Sequence, residues 1–340
     1  PRQRPIGGAA FVRPTRLIGG PARVGGPLRP GAVVTARRVA GTGWRFVGHV
    51  RMVLTGPWHD GPMVPDVRTW LSGQIRDRVV GPDAPARHAE LFDTAEPGWF
   101  DDDAPIRRVH ADASMFVGGL RALLFQSLHP LAMAGVAQHS DYRRDPWGRL
   151  QRTADFLAAT TFGPASEAQR AVDVVHRVHQ RVVGTTSDGQ PYSANDPHLL
   201  LWVHIAELDS FLDAHDRYGR QPLAGADRDR YVADAAVVAR ALGVDAPPET
   251  EQALRDHLAD FRPELRGSPE ARDAARYLLL QPPLPLAARP AYGLIAAAAV
   301  ASMPAWTRFP LRLPWLPVSE AVALRPAGEV VTRAIRWALP

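Results

Sequence analysis

The chain has 340 residues with neither cysteine nor lysine, a formal charge of +5 and a pI near 10.1. Without cysteine there is no disulfide, zinc thiolate, iron–sulfur cluster or thiolate-ligated haem; without lysine there is no Schiff base, pyridoxal-phosphate attachment, Walker A loop or protein-kinase lysine. All 40 basic residues are arginines, and residues 1–62 hold ten of them against one acid, Asp60, so that segment is +9 and the rest of the chain −4, which gives no electrostatic case for binding nucleic acid.

Residues 1–62 are rich in Gly, Pro and Arg, with Gly-Gly pairs at 7, 19 and 25 and no sustained helical or strand period. They are expected to be a disordered basic leader without the apolar core of a secretion signal, and Met63 is the expected true start. From there the apolar spacing predicts helices at roughly 64–80, 106–127, 130–139, 149–161, 165–183, 197–217, 226–242, 249–260, 268–280 and 318–338, with no convincing strand between them. Asp196 followed by Pro197 predicts an N-cap and a first helical turn, and Gly184 and Gly243 are placed where helix C-termini favour a left-handed residue. The stretch AYGLIAAAAVASMPAW, 291–306, falls short of the roughly 18 apolar residues that cross a bilayer and is read first as a buried helix, with docking on a membrane surface as the alternative. The expected fold class is all-α: a single multi-helix domain over 63–340, with a globin-like core and additional helices.

No G-x-S-x-G elbow or G-x-G-x-x-G turn occurs, so chemistry has to be sought in inward-facing polar residues. On the 149–161 helix, Arg149, Thr153, Phe156 and Thr160 share one stripe, and a guanidinium there needs an anion, supplied either by a ligand or by an internal acid. On the next helix His179 falls inside the apolar arc of Ala171, Val175, Val178 and Val182, while His176 sits at its rim. His204 shares an equally good inward stripe with Leu208, Phe211 and His215, and could be a ligand, a pocket residue or core. His129 and His139 flank a short helix of uncertain facing and are weaker candidates; Asn195 and Asp196 are read as caps, Tyr192 and Trp202 as packing residues.

The runs RLQRTADFLAATTFG, HRVHQRVVG and PYSANDPHLLLWVH, in that order between Arg149 and His204, resemble the catalytic domain shared by the bacterial rubber oxygenases (latex clearing proteins) and the mycophenolic-acid-pathway oxygenase, MpaB. The resemblance extends more weakly from about Met63 to the C-terminal region. It implies an all-helical protein binding haem b and using dioxygen on an apolar, isoprenoid or lipid, substrate. It implies His179 as the proximal iron ligand, with Arg149 and Thr153 as catalytic or cofactor-binding residues and Arg152 and His204 at the same cofactor. Dioxygen and an apolar small molecule are then the expected partners, nucleic acid is not, and a cytoplasmic location is expected, with peripheral membrane contact left open.

Two departures bear on the reaction. Where rubber oxygenases carry a lysine in the arginine-and-threonine motif, this chain has Arg152, which never acts as a base. Residues 113–140, where those enzymes place a glutamate, contain no carboxylate. A haem sensor, carrier or structural helical protein without turnover is therefore the alternative from another class. A di-iron oxygenase built from Asp173, His176 and acids such as Glu207 ranks below both, because the paired Glu-x-x-His signature is absent.

Overall fold

Four helices open with a side-chain cap: Asp145 accepts from Gly148 N (2.9 Å), Asp196 from His198 N (2.9 Å), Thr250 from Ala253 N (3.1 Å) and Ser268 from Ala271 N (3.1 Å). Three of these caps are followed by proline at the first helical position, where its missing N–H costs nothing. The computed structural model describes residues 72–73, 95–140 and 142–339; the expected leader over 1–62 and nearly all of the helix expected at 64–80 lie outside them. The architecture is all-α.

In chain order the helices are α1 (Pro105–His110), α2 (Met115–Gln126), α3 (Pro130–His139), α4 (Pro146–Phe162), α5 (Ala165–His179), α6 (Pro197–Tyr218), α7 (Ala226–Ala241), α8 (Glu251–Phe261), α9 (Pro269–Leu280), α10 (Arg289–Ser302), α11 (Ala305–Leu311) and α12 (Arg325–Ala338). A π-helical stretch, Glu320–Leu324, leads into α12. The helix expected over 106–127 is in fact two, α1 and α2. Asp112 breaks it, because its carboxylate accepts from Ser114 N (2.7 Å), from Arg220 N (3.1 Å) and from the Arg336 guanidinium (2.9 and 3.0 Å).

A second correction concerns α5, which stops at His179 rather than 183. The chain then forms an antiparallel hairpin, β1 (Val183–Thr185) against β2 (Pro191–Ser193), with Gly184 opposite Tyr192. Gly184 is thus a strand residue and not a helix cap, whereas Gly243 does take the left-handed conformation (φ +96°). Strands of three residues are too short to show an alternating pattern, which is why none was predicted.

The core is organised on the α2–α6 contact. Trp202, wholly buried on α6, meets Phe125 of α2 edge-on and donates from Nε1 to Gln126 O (3.0 Å). Around this pair lie Ile106, Leu124, Ile205, Leu208, Tyr231 and Phe261, each worth about 1.5–3 kcal/mol by burial. Arg121 of α2 is 2% exposed and is neutralised by Asp209 (2.7 Å), with Ser210 Oγ (2.6 Å) and Ser302 O (3.3 Å) completing its shell. The alanine-rich α10 lays Ala296, Ala298 and Ala299 against Val117 and Leu120 of α2. Among the described residues no single helix is long and apolar enough to cross a membrane; α10, with the residues before it, and α11 form an apolar pair bent by 117°.

Gly118 and Gly119 on α2 make a natural experiment. A methyl at Gly118 would lie 3.1 Å from Phe211 Cδ1 and 3.2 Å from Ala214 Cβ, whereas one at Gly119 would meet nothing within 4 Å. Gly118→Val is expected to lose about 1–3 kcal/mol by overpacking, and Gly119→Ala to gain up to about 1 kcal/mol from helix propensity. Urea unfolding midpoints check both signs.

Candidate active site at the open end of the α4–α5 hairpin

Helices α4 and α5 follow one another through Gly163 and Pro164, where Gly98 pairs with Pro164. Arg149 lies fourteen residues before Gly163 and His179 fifteen after Pro164; at about 1.5 Å per residue both stand about 21–23 Å from the turn. Arg149 thus lies near the start of α4 and His179 at the last residue of α5, each at the end of its helix remote from the Gly163–Pro164 connection.

Arg149 is partly buried and donates from Nη1 to Ser140 Oγ (2.6 Å), the residue that ends α3. Among the described residues it has no carboxylate partner, and burial, reinforced by the nearby Arg152, lowers its pKa. The guanidinium still stays charged. No acid among the described residues neutralises it, and an anion at this end of the stripe would. Ser140 also borders a cavity of about 340 Å³ whose wall includes Ala137, Tyr142, Arg143 and Asp273.

Thr153 is exposed and donates its hydroxyl to Arg149 O (3.1 Å), leaving its oxygen lone pairs free to accept. Arg152 points outward to Asp145 (3.2 Å), with both partners solvent-exposed. Thr160, at the inner end of the stripe, is buried and bonded to Phe156 O (2.8 Å).

His179 ends α5. Burial, and secondarily His176, lowers the pKa of its imidazole and keeps it neutral, and no hydrogen bond reaches either ring nitrogen among the described residues. His176, by contrast, spends its Nε2 on Ala241 O of α7 (3.0 Å), and Asp173 accepts from Gln169 (2.9 Å). Exposed valines 174, 178 and 183 and Leu150 give this end of the hairpin an apolar surface.

The remaining histidines separate by their neighbours. His139 Nε2 meets Tyr192 Oη (3.1 Å), which in turn donates to Gln138 Oε1 (2.8 Å), so this set docks the β-hairpin on α3. His204 is held down to about 4 by burial and then by His257 of α8, and its Nε2 is buried without a hydrogen-bond partner. His129 meets Glu264 (3.2 Å), as does His198 (2.9 Å), a grouping that sequence reading did not anticipate.

A family model described as ER-bound oxygenase mpaB/B'/Rubber oxygenase, catalytic domain, matches residues 107–337. The chain belongs to this oxygenase family. The match runs from the first turn of α1 almost to the end of α12, so it embraces all of α4 and α5 and the α6 histidine. No curated protein and no solved structure matches the chain.

The family member also carries a partly buried acid, Glu207, whose surroundings raise its pKa. Glu207, one turn beyond His204, is pushed by burial to about 7, and the Tyr231 hydroxyl near it is raised well above its ordinary value, first by burial and then by Glu207. The carboxyl is neutral in the fold until about pH 7 but ionises near 4.5 when unfolded, so stability falls as pH rises across that window. His204 has the opposite sense: its folded pKa lies below the ordinary 6.5, so stability falls as pH drops from 6.5 towards 4. Glu207→Gln should therefore raise Tm more at pH 8 than at pH 5, and a scan of Tm against pH for both proteins measures it.

Proposed function

We propose that the chain is a haem b-dependent oxygenase that uses dioxygen on an apolar substrate of isoprenoid or lipid class. The observations supporting this reading are a His179 whose imidazole burial keeps neutral and which has no hydrogen-bond partner among the described residues, and an Arg149 with no carboxylate partner among them, in a member of an oxygenase family. The residues fit the group chemically: a proximal ligand has to be a neutral imidazole, and haem propionates are the kind of anion a lone guanidinium pairs with.

In this reading His179 holds the iron and Arg149 and Thr153 are the polar residues that bind and orient at the cofactor, with Arg152 at the rim and His204 as the rival ligand. Bound haem supplies the iron at which dioxygen reacts. Arg149 fixes a negative group without exchanging its own proton, and Thr153 offers a hydroxyl oxygen. Peripheral membrane contact goes with this proposal, supported by the exposed Phe309 within the bent apolar pair and the exposed Trp315, Val318 and Val322 after it, and a cytoplasmic location is part of the same proposal.

A haem carrier or sensor is the second reading, favoured by Arg152 being tied to Asp145 and by the absence of lysine and of carboxylates over 113–140. Protein purified from haem-supplied cells should show a Soret band, and oxygen uptake with alkenes, terpenoids and lipids separates the two readings. Soret absorbance with no uptake on any substrate favours the carrier; a colourless folded protein removes both.

A further inference from the structure

We propose that His129, His198 and Glu264 form a binding site for one divalent first-row transition-metal ion, distinct from the residues assigned above to haem. The three come from separate parts of the chain: His129 caps α3, His198 is the second residue of α6, and Glu264 ends the 3₁₀ turn that follows α8. Their ligand atoms all lie within 4.8 Å of one another. His129 Nε2 is 3.2 Å from Glu264 Oε2, and His198 Nε2 is 2.9 Å from the same oxygen and 3.0 Å from Oε1. Donors bonded to a tetrahedral ion at about 2.0–2.1 Å stand about 3.3 Å apart, so small side-chain movements suffice to admit an ion.

Protonation and packing suit that role. Burial, the larger effect, lowers the pKa of His129 despite the Glu264 carboxylate, keeping its nitrogen available as a donor. For Glu264 burial acts upward, yet the hydrogen bonds and charges of His198 and His129 hold it below its ordinary range, so it is ionised at neutral pH. His129 is 3% exposed and lies 6.2 Å from Trp202, while His198 stacks on Phe261 at 4.4 Å. The rings are thus held in place by the same aromatic core that packs α2 on α6. Glu264 and His198 open to solvent, which leaves room for water as a further ligand.

The surroundings also select the ion. Glu264 is the single carboxylate among the three ligands, and Arg266 nearby, itself paired with Asp188 (3.9 Å), adds no oxygen donor. Calcium and magnesium, which bind through several oxygens, are therefore disfavoured. Two imidazoles with one carboxylate suit zinc(II) or iron(II). The competing arrangement is a metal-free clasp, with both imidazoles donating to the carboxylate.

Zinc chloride is the probe. Full-length protein as purified, whether or not it carries haem, is treated with a chelator, dialysed and titrated calorimetrically, and bound zinc is counted by elemental analysis. One zinc per chain is expected, with Kd on the order of 1 µM or tighter. His198→Ala, at a half-exposed position, and Glu264→Gln, which keeps a hydrogen-bond acceptor but loses the charge, should each weaken binding about tenfold or more with unchanged circular dichroism. Zinc should also raise the Tm of the wild type and of neither variant. Wild type that binds no zinc, or binds it no better than the variants, overturns the proposal in favour of the clasp. His179→Ala protein should retain the zinc site, so failure of the haem assignment and failure of this one are read separately.

Discussion

His179→Ala protein is expected to purify folded and colourless from cells in which the wild type shows a Soret band. The chain leaves few ways to hold haem iron, since cysteine is absent and an axial imidazole has to be neutral and have a free nitrogen. A hydrogen bond at one ring nitrogen leaves the other free, so His176, bonded at Nε2 to Ala241 O, stays a candidate beside His179 and His204. Removing the His179 ring breaks no hydrogen bond among the described residues, so the fold should lose about 1 kcal/mol or less, within the range of ordinary partly buried substitutions. Helical circular dichroism should be unchanged while haem absorbance disappears. His204→Ala is the paired measurement: it should keep its Soret band, and the reverse outcome would transfer the ligand to α6. Arg149→Ala should weaken haem retention without abolishing it, because it removes an anchoring charge and not the iron ligand.

The helices were legible because their apolar spacing and their Asp, Ser and Thr caps are local signals, and α6 shows this best, from the Asp196 cap to the buried Trp202. What escaped depended on partners distant in sequence. Asp112 breaks the α1–α2 helix through Arg220 and Arg336, neither of which a local window can see. The same limit applies to the site. Arg149 and His179 were found because each sits on a periodic helix of its own.

Thr153 shows how coarse a stripe is. At about 100° per residue it lies about 40° from Arg149, while Phe156 and Thr160 lie about 20° to either side; Thr160 is buried and Thr153 exposed. His129, His198 and Glu264 carry no joint signal in the sequence, since only the packing of α3, α6 and the turn after α8 makes them neighbours.

Arg308→Met should be the most damaging single change to the C-terminal part of the fold, costing about 3–5 kcal/mol in urea unfolding. Arg308 is 4% exposed and Glu320 8%. The guanidinium donates to Met303 O (2.9 and 3.2 Å) and Ala301 O (3.1 Å), the carbonyls at the end of α10, and pairs with Glu320 at the start of the π-helical stretch. Glu320 also accepts from Leu316 N (3.1 Å), so one ion pair ties α10 and α11 to the segment leading into α12. The loss is mostly the penalty for stranding a buried carboxylate and two carbonyls, rather than the net worth of the attraction. That account has a consequence of its own. The double variant Arg308→Met with Glu320→Leu leaves no buried charge and should recover a large part of the stability lost in the single change. A double variant no more stable than Arg308→Met would show instead that the guanidinium's bonds to the α10 carbonyls, and not the orphaned acid, hold this part of the chain together.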